Sequence, residues 1–146
     1  MRKITVQNSL IISEAVKLIS EGREVTLRAK GRSMLPFVKD GDVVQLVKPQ
    51  VLQLYDIVLA QVAEGQYVLH RIVDICDDRV VLMGDGNLRE CEQCGVNSVL
   101  AVAVKIIRGD KEYDCRDSSH LRLSKIWRWL LPIRRYLLAI YRVVGL

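Results

Sequence analysis

The sequence is short of several things that would direct a reading elsewhere. Phenylalanine occurs once, histidine twice, proline three times and cysteine four times in 146 residues. Nothing is low-complexity and no internal repeat is found, so disordered linkers and repeat architectures are excluded. No stretch approaches the roughly 20 apolar residues needed to span a bilayer. The longest tail run, Tyr136 to Tyr141, has six. Near the start, Leu10, Ile11 and Ile12 are cut off by Ser13 and Glu14, too short a run for a secretory leader. The expected address is therefore the cytoplasm. There Cys76, Cys91, Cys94 and Cys115 are expected to be free thiols rather than disulfides.

What remains is the composition of one globular domain: half of the residues are apolar and 27% are charged. Acidic residues are missing from one segment. From Leu121 to Leu146 there are six basic side chains (Arg122, Lys125, Arg128, Arg134, Arg135, Arg142) and no acidic one. The sixteen basic residues elsewhere nearly balance the 17 acidic ones, so the tail alone makes the chain basic. A nucleic-acid binder spreads Lys and Arg over a folded face, which makes nucleic acid an unfavoured partner. A basic tail carrying Trp and Leu has three readings: it packs on the body through its Leu/Trp face, lies on an anionic membrane surface at the inner face of the membrane, or binds a protein partner.

Periodicity predicts a short amphipathic helix over Ser9 to Ser20, ended by Glu21-Gly22. Alternating or β-rich runs predict strands at Val25 to Ala29, Val43 to Val47, Ile57 to Val62, Tyr67 to Val73, Arg79 to Met83 and Val99 to Ile107. The Glu64-Gly65 turn makes the third and fourth a hairpin. The expected fold is mostly β, a barrel or sandwich with a short N-terminal helix. From about Ser118 the apolar spacing turns helical, with arginines between and a break at Pro132. Residues 1–117 are thus expected to form the β domain and 118–146 a basic amphipathic helical tail.

Three short segments carry possible chemistry. Ser33 lies in Gly31-Arg32-Ser33-Met34-Leu35-Pro36, just after a strand, where a hydroxyl can be exposed and held. A serine is a weak nucleophile and needs a base and an oxyanion site. His70, in Val68-Leu69-His70-Arg71-Ile72-Val73, has the resting pKa of such a base. Taken alone, a strand histidine is more often structural. Asp85, in Gly84-Asp85-Gly86-Asn87, reads either as a plain turn residue or as the acid that orients the histidine. Cys91-Glu92-Gln93-Cys94 has the spacing of half a zinc site, but there is no second such pair. No metal and no other cofactor is therefore expected. Nor does a βαβ setting surround the pair for redox chemistry. His120 reads as a surface residue near a helix start.

Taken in order, Gly31-Arg32-Ser33-Met34, Asp40-Gly41-Asp42-Val43-Val44, His70-Arg71-Ile72 and Gly84-Asp85-Gly86-Asn87 resemble the boxes of the signal peptidase I and LexA superfamily, over Val25 to about Ile107. His70 stands where bacterial members carry Lys and the endoplasmic-reticulum, archaeal and sporulation-type members carry His. Position 86 is Gly where the pattern has Asn, and Glu90 stands where His-type members carry a further Asp. The resemblance implies a LexA/signal-peptidase-like fold and a serine peptidase. Ser33 would be the nucleophile, its backbone N–H part of the oxyanion hole, His70 the general base and Asp85 the supporting acid. It implies that Asp42 holds the turn and that Met34 and Pro36 shape the pocket. Without the family's membrane anchor, removal of signal peptides is not the expected role. Residues 1–32 hold no helix-turn-helix domain with a cleavable linker, and no Ala-Gly or Cys-Gly bond. The expectation is an endopeptidase acting on a peptide or protein. Its rival is a catalytically inactive peptide-binding or scaffold module that docks through the tail.

Overall fold

The computed structural model describes residues 6–30, 34–86 and 91–144. In chain order they form α1 (Val6–Ser20), β1 (Val25–Arg28), β2 (Val43–Val47), β3 (Ile57–Ala63), β4 (Gln66–Cys76), β5 (Arg79–Met83), β6 (Glu92–Gly95), β7 (Val99–Arg108), β8 (Lys111–Asp114), α2 (Ser118–Trp129) and α3 (Arg134–Val144). The strands make one antiparallel sheet in the order β1-β2-β7-β3-β4-β5-β6, with β8 added to β7. This corrects the expected barrel or sandwich: the described sheet is not closed, and its free ends are β1 and β6.

The hydrophobic pattern explains why one open sheet suffices. Consecutive strand residues face opposite sides, and β3 is apolar on both. Ile57 and Leu59 enter one core with Val44, Leu46, Ala101, Ala103 and Ile106, covered by Ile12 and Ile19 of α1. Val58 and Ala60 enter a second core with Val68, Ile72, Val80, Leu82, Cys94, Val99 and Val102. β7 can serve both because its two halves pair differently. Val99 to Val102 lie beside β3, Lys105 to Arg108 lie beside β8, and β2 runs along the opposite edge. Register shifts in the β2–β7 and β3–β7 pairings absorb the resulting bend.

The turns follow their residues. β3 and β4 join through Glu64-Gly65, with Gly65 at φ 71°, a left-handed conformation that glycine adopts without strain. β7 and β8 join the same way through Gly109-Asp110. Asp117 caps α2, its carboxylate accepting the Ser119 N–H at 3.0 Å. A 3-10 turn over Leu131–Ile133, containing Pro132, separates α2 from α3 as the sequence predicts.

Leu59 is a fully buried side chain of the first core. Leu59→Ala should cost about 2–5 kcal/mol through lost burial and the cavity left behind. A lower urea midpoint with an unchanged slope would show it.

Candidate functional site

Ala29 and Asp42 bound the segment between β1 and β2. Its base is closed by Ala29 N–H donating to the Asp42 carbonyl at 2.7 Å and Gly41 N–H donating to the Ala29 carbonyl at 2.9 Å. Asp42 holds this turn, as expected. Its buried carboxylate accepts the Lys39 N–H at 2.8 Å and a two-pronged contact from Arg108, at 3.0 Å from Nε and 2.8 Å from Nη2. The expected nucleophile, Ser33, lies outside the described residues, as do Gly31, Asn87 and Glu90. The next residue, Met34, is buried in the first core. Its Sδ accepts the Asp85 N–H at 3.4 Å, which ties this segment to the end of β5.

His70 and Arg71 are neighbours on β4 and therefore face opposite sides of the sheet. Arg71 faces the first side. Its Nε and Nη2 donate to the two Asp85 carboxylate oxygens at 2.8 and 2.7 Å, and its Nη1 donates to the Tyr55 carbonyl at 2.8 Å. Phe37 packs against the guanidinium, 4.9 Å from ring centroid to Cζ. Trp127 Nε1 donates to the Asp85 carbonyl at 2.7 Å, which brings α2 onto the same cluster.

His70 shares the second side with Val68 and Ile72 of its own strand and is fully buried. Its Nδ1 lies 2.6 Å from Glu92 Oε1, a close contact that is not aligned as a hydrogen bond. Its Nε2 bonds to no described residue.

The acid expected beside the histidine, Asp85, is thus committed to Arg71, and Glu92 takes its place. Strand parity is the reason. Arg71 pairs with Met83, and Asp85 two residues on keeps that face. Leu82 faces the second core and pairs with Glu92, which puts the Glu92 side chain on the His70 face. Sequence reasoning missed Glu92 because β6, Glu92-Gln93-Cys94-Gly95, has neither alternating apolar residues nor a strand-rich composition. The signal that was available is the parity count from Asp85 through a sixth strand.

Cys91 is exposed while Cys94, three residues along, is buried in the second core. Burial pushes the Cys94 thiol up, away from the thiolate a metal needs. Among the described residues no group of three or more metal-ligating side chains converges. His120, read from the sequence as a surface residue, does lie at the start of α2 but is half-buried. It meets the Phe37 ring edge-on at 5.3 Å and stands 3.4 Å from Arg71 Nη1. It lines an open groove of about 510 Å³ with Pro36, Phe37, Arg108, Tyr113 and Leu123. Burial, then the Arg71 charge, push its pKa down to about 4.

Two outcomes follow. Arg71→Met leaves the Asp85 charge buried without its partner and should cost about 3–5 kcal/mol, read by denaturant unfolding. His120 takes up its proton at lower pH when folded than the ordinary 6.5 of an exposed imidazole. Its contribution to stability is therefore complete above about 6.5 and declines as pH falls toward 4. Urea midpoints measured across that window should fall for the natural chain and flatten in His120→Gln.

Comparison with models of known protein families and with curated proteins finds no match.

Proposed function

We propose that the chain is a serine endopeptidase acting on a peptide or protein, with the LexA/signal-peptidase-like fold that this implies. Ser33 Oγ attacks the scissile carbonyl carbon while His70 Nε2 takes the hydroxyl proton. The C–N bond then breaks, the proton passes to the departing amine, and an acyl group remains on Ser33. Water, activated by the same imidazole, releases it. Glu92 stabilises the imidazolium in both halves. Asp85 acts at one remove, holding Arg71 and, through its N–H, Met34.

One observation carries this reading: the carboxylate 2.6 Å from His70 Nδ1, in a chain whose ordered boxes supply a serine at 33. A carboxylate close to one ring nitrogen, with the other making no bond to a described residue, is compatible with a general base. An extended substrate strand is the form that recognition at a sheet edge takes.

The complete burial of His70 favours a second reading, a non-catalytic peptide-binding module in which the imidazole serves the core. A fluorophosphonate probe followed by intact mass separates the two. The peptidase reading expects one adduct on the natural chain and none on Ser33→Ala. Labelling should be about 10²–10⁴-fold slower in His70→Ala and slowed to a lesser degree in Glu92→Gln. A folded natural chain that takes no adduct would establish the binding module instead.

A further inference from the structure

α2 and α3 each have two differently used sides. Toward the body, Ser124, Arg134 and Leu138 are buried, Trp127 is bonded to Asp85, and Arg134 Nη2 donates to the Trp127 carbonyl at 3.1 Å. Away from the body, Ile126, Trp129, Ile133, Tyr136 and Ile140 are exposed, Trp129 by 80% and Tyr136 by 63%. Val143, 88% exposed, continues the series. Steps of three and four residues place these side chains along one stripe of the helical path. A contiguous apolar stripe of this size marks an interaction face.

The charges say what covers it. No acidic residue follows Asp117, Arg122 and Arg135 are exposed, and the Arg135 guanidinium stands 5.6 Å from the Tyr136 ring centroid. We propose that this face docks on an anionic lipid surface, with the apolar stripe entering the headgroup boundary and the basic side chains meeting lipid phosphates and carboxylates. Trp129 and Tyr136 have the amphipathic rings that concentrate at that boundary. A second copy of the chain fits poorly, because it would bring the same cations face to face. The helices lie on the membrane rather than cross it. α3, with 11 residues, is about 16 Å long, and no helix among the described residues is long and apolar enough to span.

This proposal stands apart from the peptidase reading, because its face excludes the His70 cluster. The test uses the full chain and sedimenting vesicles of phosphatidylcholine alone or with about 30% phosphatidylserine. Binding is expected to the mixed vesicles only, weakened at least about tenfold by raising NaCl from about 0.05 to 0.5 M. Ile140→Asp should weaken it as strongly while leaving the circular dichroism spectrum unchanged. Trp129→Phe should still bind but lose the blue shift of tryptophan emission. Equal binding to both vesicle types, undiminished binding by Ile140→Asp, or no binding to either would overturn the proposal. So would a concentration-dependent dimer that buries the stripe.

Discussion

Removing a guanidinium and a carboxylate from water costs several kcal/mol for each, and only close geometry with further hydrogen bonds offsets it. The Arg71–Asp85 pair meets that condition. Both Asp85 oxygens are engaged by Arg71, whose remaining Nη1 donates to the Tyr55 carbonyl, while the Asp85 backbone receives Trp127 and binds Met34. Four separate stretches of chain are drawn onto one ion pair: the segment after Ser33, the approach to β3, the end of β5, and α2. Two further forks of the same kind, Arg108–Asp42 and Arg116–Asp56, anchor the turns before β2 and β3. In each, a buried aspartate carries a fixed direction as well as a charge, because the planar guanidinium accepts only one approach of the carboxylate.

That constraint separates two roles which sit side by side in the sequence. His70-Arg71 reads as one motif, yet the pleat sends its halves to opposite faces. Arg71 organises the loop and helix side, and His70 looks into the second core toward Glu92. The first face carries the apolar core under α1 and, beside it, the ion-paired cluster around Arg71. The second is apolar apart from the imidazole and the one carboxylate against it. A proton relay benefits from the second setting, since a low local dielectric strengthens the carboxylate–imidazolium attraction. The same apolar setting also suits a core histidine, so the proposed chemistry rests on the Ser33 hydroxyl as much as on the imidazole.

Much of this fold was legible because its strands are regular. Val43 to Val47 and Arg79 to Met83 carry their β signal openly, and their bounds match the structure. So do the Glu64-Gly65 hairpin and the break at Pro132. The missed strands are short and polar. All four β8 residues are exposed, so no burial pattern exists to read there, and β6 buries only Cys94. Their absence from the reading had a local consequence. Without β6 there was no strand to carry Glu92 to His70, and the nearest acid in the motif, Asp85, was given a part that its face of the sheet denies it. Sheet closure was illegible for a different reason: alternation says which residues face a core but not whether one sheet supplies both of its faces.

The helical segment is bound to the candidate site more firmly than a tail would need to be. Trp127 binds the backbone of Asp85, and Arg134 binds the Trp127 carbonyl while its guanidinium sits over the indole, 5.0 Å from the ring centroid. The exposed stripe and the buried ion pair are thus opposite sides of the same two helices. A body held at a surface by such helices keeps one orientation relative to it, since the helices cannot pivot without breaking the contacts to Asp85. The groove beside His120 would then open at a fixed height above that surface.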